Sequence, residues 1–168
     1  DLPQQGGHHV RVFRNKSIDN DTDNFAPEGN IVGEVPRGTG VIIQANSDVE
    51  VFDNDIGGNG TVNLAIVTYG YDTEDEDYYP HPKSIQVYDN RFGKSGFDPD
   101  LETGELSAIL FELSGGNMPD IFWDGILPMS QMLFGQPDNE KVILGDNGNA
   151  SFLTMSPIKY MIDMDPVN

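Results

Sequence analysis

The stretch SDVEVFDNDIGGNG, residues 47–60, decides the fold. Val49 and Val51 alternate with Asp48 and Glu50, the two-residue period of a half-buried strand, and the run ends in Asp53-Asn54 before it collapses into glycine. Asn and Gly punctuate strands with turns, so the chain is expected to make a short corner here. The pattern recurs without gaps as HHVRVFRNKSIDN (8–20) and KSIQVYDNRFGKS (83–95). Each copy reads apolar, polar, apolar, aromatic, charged, Asn. Asn15, Asn54 and Asn90 therefore share one repeat position at spacings of 39 and 36 residues, and an apolar residue follows each at Ile18, Ile56 and Phe92. A weaker fourth copy, PDIFWDG (119–125), puts Ile121 another 36 residues beyond Ile85.

Between the copies lies a second kind of segment: GTGVIIQAN (38–46), VNLAIVTYG (62–70) and SAILFEL (107–113). These are nearly continuous apolar runs, as expected of strands buried in parallel sheet. One repeat then reads strand, Asn-Gly turn, strand, loop, and stacking such repeats at about 4.8 Å builds a parallel solenoid. An all-β sandwich also has short strands between turns, but it does not call for one residue pattern at one period. The expected fold is all-β: three to four coils over residues 1–124, then an irregular, partly helical C-terminal cap over 125–168. Within that cap, GILPMSQMLFG (125–135) and SPIKYMIDM (156–164) read as the helical pieces. The Asn positions are expected to stack from coil to coil as a structural ladder, amide to amide.

The 168 residues suffice for one domain, and nine basic against 28 acidic residues give a net charge of −19. That balance opposes binding to nucleic-acid phosphates and anionic lipid, and it favours solubility, cations or basic proteins. The absence of cysteine excludes disulfides, thiolate metal sites and a Cys nucleophile. No apolar run approaches the roughly 20 residues of a membrane span, so no membrane insertion is expected. The chain opens at Asp1-Leu2-Pro3, which reads as a processed or trimmed piece of something longer.

The repeated V-x-V-F-x-N-x-I pattern resembles the right-handed parallel β-helix repeats of pectate-lyase-like, carbohydrate-binding and sugar-hydrolase proteins. LPQQGGHHVRVFRNKSI, NFAPEGNIVGEVPRGTGVIIQANSDVE, GGNMPDIFWDG and FGQPDNEKVILGDNG resemble, more closely, a bacterial family of parallel β-helix repeat-containing proteins. That resemblance spans nearly the whole chain. It implies a right-handed coil, export to the periplasm or beyond the cell with the signal segment outside this chain, and further coils before Asp1. It implies no mechanism. The Asp-bound calcium with a basic residue of lyase-like sites, the clustered Asp with Gly-His-Gly and Arg-Ile-Lys of polygalacturonase-like sites, and the Asp-Pro-His-Asp of uronate epimerases are all missing; Tyr79-Pro80-His81-Pro82 comes nearest and lacks both flanking carboxylates.

From the residues themselves, Asp19, Asp21 and Asp23 form the best metal candidate, because alternate carboxylates imitate the start of a calcium loop. Asn24 and Asn30 stand where an EF-hand needs Gly and Glu, so only a non-EF calcium site is compatible. His8 and His9 read as polar residues at the start of a strand, pointing to opposite faces, and His81 reads as an exposed loop residue between two prolines. The acidic run Tyr71–Asp77 reads as a hydrated loop.

Loop lengths suggest a binding face. The connections 21–37 and 96–105 are long, whereas Gly57-Gly58-Asn59-Gly60 is short, so two walls are expected to flank a slot roughly 10 Å wide. Asp55, Asn59 and Thr61 would floor it, and Phe25, Phe97, Asp98, Asp100 and Glu102 would stand on its walls. The expected function is an exported binding or interaction module for carbohydrate or a protein partner. The alternatives are a carbohydrate-active lyase, hydrolase or epimerase whose catalytic residues lie in earlier coils, and end-to-end self-association through the exposed N-terminal coil.

Overall fold

The computed structural model describes residues 2–27, 29–103, 105–156 and 161–166. The strands are β1 (His8–Phe13), β2 (Lys16–Ile18), β3 (Thr39–Gln44), β4 (Ser47–Phe52), β5 (Asp55–Gly57), β6 (Val62–Val67), β7 (Lys83–Tyr88), β8 (Arg91–Phe92), β9 (Ile121–Trp123), β10 (Val142–Leu144), β11 (Ser151–Ser156) and β12 (Met161–Pro166). Two α-helices, α1 (Leu106–Leu113) and α2 (Met129–Phe134), interrupt them. The protein is mostly β. Sheet I has the order β1-β4-β7-β10, sheet II β2-β5-β8 and sheet III β3-β6-β9-β11-β12. Every pairing is parallel except β11 with β12. The chain thus visits sheets I, II and III in that order three times, once per round. None of the helices is long and apolar enough to cross a membrane, among the described residues.

The repeat explains the register. Val10, Val49, Ile85 and Val142 pair in sheet I, as do Val12, Val51, Val87 and Leu144, and their side chains join the core. Leu64, Ile66 and Ile121 from sheet III and Ile56 from sheet II complete that core. Each fully buried aliphatic side chain of this kind contributes about 1.5–3 kcal/mol. A second cluster lies on the outer face of sheet III, where Val67, Phe122 and Leu153 pack under Leu110 of α1.

The punctuation between strands has a backbone cause. His9, Asp48 and Ser84 have φ of 56°, 53° and 54°, and Arg14, Asp53 and Asp89 have φ of 56°, 56° and 53°. Each round therefore enters and leaves sheet I through a left-handed residue. Asp is among the few non-glycine residues that accept this conformation, so part of the acidic excess serves the turns.

Beside these corners runs a chain of amides. Asn15 Nδ2 donates to Asn54 Oδ1 (3.2 Å), Asn54 Nδ2 to Asn90 Oδ1 (2.8 Å), and Asn90 Nδ2 to Asn147 Oδ1 (3.0 Å). The backbone N–H groups of Asn15, Asn54 and Asn90 donate to the same oxygens. A second polar chain, not anticipated from the sequence, runs from Asn20 through Asn59 and Asn63 to Asp120, whose other oxygen accepts from the Ser151 N–H and hydroxyl. Burying these groups would be costly without partners; fully paired, they tie one round to the next.

Three expectations are corrected. SAILFEL is not a strand but most of α1: the stretch has a single β-branched residue, Ile109, and Leu110 seats the helix on sheet III. PDIFWDG does not continue sheet I. Its strand β9 lies in sheet III, with Ile121 beside Leu64, because nothing in it supplies the Asn that closes a sheet I strand. The fourth strand of sheet I is β10, where Val142-Ile143-Leu144-Gly145-Asp146-Asn147 matches Ile85-Gln86-Val87-Tyr88-Asp89-Asn90 residue for residue. Residues 125–168 accordingly hold α2 but also three strands. In SPIKYMIDM, Ser156 ends β11 and Met161–Met164 belong to β12, while Pro157, Ile158, Lys159 and Tyr160 lie outside the described residues.

Candidate functional site

The slot expected over Gly57–Gly60 is bridged at its Gly60 end, whereas a shallow depression beside Asp55, Gly57 and Gly58 stays open. Arg37 spans it, with Nη1 3.0 Å from Asp98 Oδ2, its backbone N–H 3.0 Å from Asp100 Oδ2, and Nε 3.5 Å from Asp23 Oδ1. Below the arginine, Asp21 Oδ1 accepts from the Gly60 N–H (2.7 Å) and Thr61 Oγ1 bonds both the Arg37 carbonyl (2.5 Å) and the Asp100 N–H (2.9 Å). The two long loops therefore meet across the short one. Asn59 and Thr61 are buried, so neither forms a floor open to ligand, and Asp55 is engaged by Arg91 at 2.5 Å. That pairing holds the Asp55 carboxyl below its usual pKa, hydrogen bonding to Arg91 being the main cause.

Glycine is required here by contact. A Cβ on Gly57 would lie 2.6 Å from Gly93 Cα, and one on Gly60 would lie 2.7 Å from the Asp98 carbonyl oxygen. On the loops, Phe25 is 90% exposed, Lys94 Nζ sits 4.4 Å from the Phe97 ring centroid, and the Glu102 N–H donates to Asp100. Burial pushes the Asp100 carboxyl up, but hydrogen bonds from Thr103, Arg37 and Glu102 together push it further down, leaving it below the usual range.

The three candidate calcium ligands go separate ways. Asp21 is spent on Gly60, Asp23 faces Arg37, and Asp19 packs against Gly58. Among the described residues no three His, Asp or Glu side chains are grouped to hold a metal ion. The histidines also differ from expectation. The left-handed backbone at His9 brings its ring within 4.8 Å of the His8 ring, despite their adjacency in a strand. His81 is half-buried, lies 3.4 Å from Thr68 Oγ1, and has its pKa lowered chiefly by loss of hydration.

What the fold presents instead is the outer face of sheet I. The parallel register aligns Arg11, Glu50, Gln86 and Ile143 in one row and Phe13, Phe52 and Tyr88 in the next. The three rings stack with centroids 5.1 and 5.2 Å apart and planes within 2°. Gly145 ends that row, since a Cβ there would lie 2.8 Å from Tyr88 Cβ. Arg11 Nε meets Glu50 Oε2 at 2.5 Å, and Lys141 meets Asp138 at 2.6 Å. Loss of hydration, then the Glu50 charge, holds the Tyr88 phenol above its usual pKa. Arg11, Glu50, Gln86, Lys141 and Ile143 line an open groove of about 660 Å³ walled on one side by Asp138 and Asn139, and the aromatic row runs beside it.

The groove is chemically distinct from the rest of the surface. Arg11 and Lys141 face Asp48, Glu50 and Asp138 across it, so it is nearly balanced in charge on a chain of net charge −19. It offers amide, guanidinium, hydroxyl and carboxylate groups in fixed rows, beside aromatic carbon. The sequence reading missed the groove because it treated the outward strand positions as solvated. The signal was present in the aromatic that precedes each turn: Phe13, Phe52 and Tyr88. No family model matches the chain, and neither the curated proteins nor the solved structures include a match to it.

Proposed function

We propose that this protein is a right-handed parallel β-helix module of an exported bacterial protein, and that it binds an uncharged carbohydrate chain along the outer face of sheet I. The strand order and the repeated passage through three sheets support the coil, and parallel crossovers are right-handed in about 98% of cases. The resemblance of the repeats to β-helix families supports the same reading and export.

One observation carries the ligand class: the Phe13-Phe52-Tyr88 stack stands in the row next to Arg11, Glu50 and Gln86, and that second row lines a groove of nearly balanced charge. Sugars present apolar C–H faces and dense hydroxyl edges, which need aromatic carbon and paired donors and acceptors side by side. Anionic polysaccharide fits less well, since the surrounding charge repels it. Titration calorimetry with neutral oligosaccharides of increasing length tests the reading. Saturable binding that strengthens with length, is lost in Phe52→Ala/Tyr88→Ala and leaves the sugar chemically unchanged is the expected result. No binding to any neutral glycan, or equal binding by the double variant, would overturn it.

A second reading rests on a different observation. The first-round strands β1, β2 and β3 are the terminal strands of all three sheets, so one end of the stack presents three strand edges together. End-to-end association through that face is the corresponding function. Sedimentation that stays monomeric over a hundredfold range of concentration would count against it.

A further inference from the structure

A second cavity, sharing no lining residue with the sheet I groove, lies on the outer face of sheet III. Its floor comes from the strand alternation: Ile42, Val67, Phe122 and Met155 point outward, opposite to Val41, Ile66 and Ile121, which face the core. One wall is α1, held to the sheet by buried Leu110 and to the preceding loop by the Ser107 hydroxyl, which donates to the Asp100 carbonyl. The other is the 3₁₀ turn Ile31–Glu34, capped by Asn30 and clamped by Asn24 Nδ2, which donates to the carbonyls of Val32 (2.8 Å) and Val35 (2.9 Å). Both walls are thus fastened, and between them remains a cleft of about 500 Å³, inside the range of roughly 300–1,000 Å³ usual for small-molecule sites.

The charges in this cleft have one sign. Glu34 stands on the 3₁₀ wall, Glu105 at the start of α1, and Asp124 in the apolar floor, whereas no Lys, Arg or His lines it among the described residues. Asp124 is only 6% exposed, with Oδ2 accepting from the Thr68 N–H (2.6 Å) and Oδ1 from the Ile126 N–H (3.1 Å). Burial raises its pKa. The half-exposed ring of Tyr71 borders the opening, and its phenol is held above the usual value by loss of hydration and then by Glu34, Tyr69 and Glu105. Glu34 and Glu105 thus line the cleft from its two walls and Asp124 from its floor. An apolar floor excludes a bare metal ion or a strongly hydrated polyol, and low-dielectric walls concentrate the negative potential.

We propose that this cleft binds a small organic ammonium ion with an apolar body. The hydrocarbon part covers Ile42, Val67 and Ile109, and the ammonium group sits among Glu34, Glu105 and Asp124 against the Tyr71 ring. Benzylammonium and its neutral isostere benzyl alcohol are the probes, read by titration calorimetry and by amide chemical shifts on the whole chain. Saturable benzylammonium binding, with benzyl alcohol at least about tenfold weaker, is expected. Glu105→Gln, a surface change that leaves the melting temperature unaltered, should weaken benzylammonium about threefold to tenfold and leave benzyl alcohol unaffected. Gln86→Ala in the sheet I groove should change neither. Equal binding of both probes, shifts that map away from residues 34, 67, 105 and 124, or the absence of saturable benzylammonium binding would each overturn the proposal.

Discussion

Asn15 and Asn54 occupy the same position of the same repeat, yet Asn15 is exposed and Asn54 is 3% exposed. Asn54 receives hydrogen bonds from Asn15 on one side and donates to Asn90 on the other, and its amide nitrogen also reaches the carbonyls of Val12 and Phe52. Asn15 has a neighbouring round on one side alone. The core positions behave alike: Val49 and Val51 are buried, whereas Val10 and Val12 are half-buried. A repeat residue is therefore worth what its two neighbours make of it, and the first round is the weaker part of the structure.

Core truncation should separate the rounds most widely. Ile85→Ala, in the third round with no exposure, is expected to cost about 2–5 kcal/mol by urea denaturation. Val10→Ala, at the paired position of the first round, should cost about 1 kcal/mol or less. Equal losses would mean that the first round is covered in solution.

The amide chain gives the next largest contrast. Asn90→Ala leaves the N–H of Asn54 without its partner and removes one of the two donors to Asn147 Oδ1, at a cost of about 2–3 kcal/mol. Asn15→Ala should cost a fraction of that, because solvent reaches the groups it leaves behind.

Glycine sharpens the same point. Gly57 pairs with Ile18 of the first round, which is 49% exposed, but on its other side Gly93 leaves no space for a Cβ. Gly57→Ala is expected to destabilise by about 1–3 kcal/mol through overpacking, and Ile18→Ala by about 0.5 kcal/mol or less. A thermal melt of each variant decides it.

The smallest effects concern charge, and two aspartates should respond to pH with opposite sign. Asp100, depressed in the folded protein, contributes stability above the unfolded pKa of about 3.9, and that contribution is lost as pH falls through its folded value. Asp124, raised in the folded protein, binds its proton more tightly when folded, so its contribution declines as pH rises from about 3.9 through its folded value. The cost of Asp100→Asn should therefore shrink on acidification and that of Asp124→Asn should grow, measured by urea denaturation between pH 3 and pH 7. Arg37→Gln, which unfastens the two loops, should cost about 1 kcal/mol or less and lose its effect in high salt.

The alternation of Val49-Glu50-Val51 and the Asp-Asn that follows were enough to read parallel strands, their register and the shared position of three asparagines. The candidate site was less legible. Asn59 and Thr61 look like polar loop residues, but their burial depends on Asn20, Asn63 and Arg37, which are 39, 4 and 24 positions away. The bridging of the gap by Arg37 could not be read from loop length, because length sets reach and not direction. Asn147 escaped notice because α1 and α2 stretch the third interval to 57 residues.

What the sequence determined by itself is therefore periodic: which residues alternate, where Asn ends each repeated strand, and that the strands stack in parallel. Those features follow from backbone sterics and side-chain direction over a few neighbouring residues. The tertiary structure alone decided that 106–113 is a helix, that β9 joins sheet III and β10 sheet I, and that Arg37 bridges the two long loops while a groove stays open on sheet I. Each of these depends on which distant surface a segment covers, and the free energy of that burial outweighs the small local preferences of the segment itself.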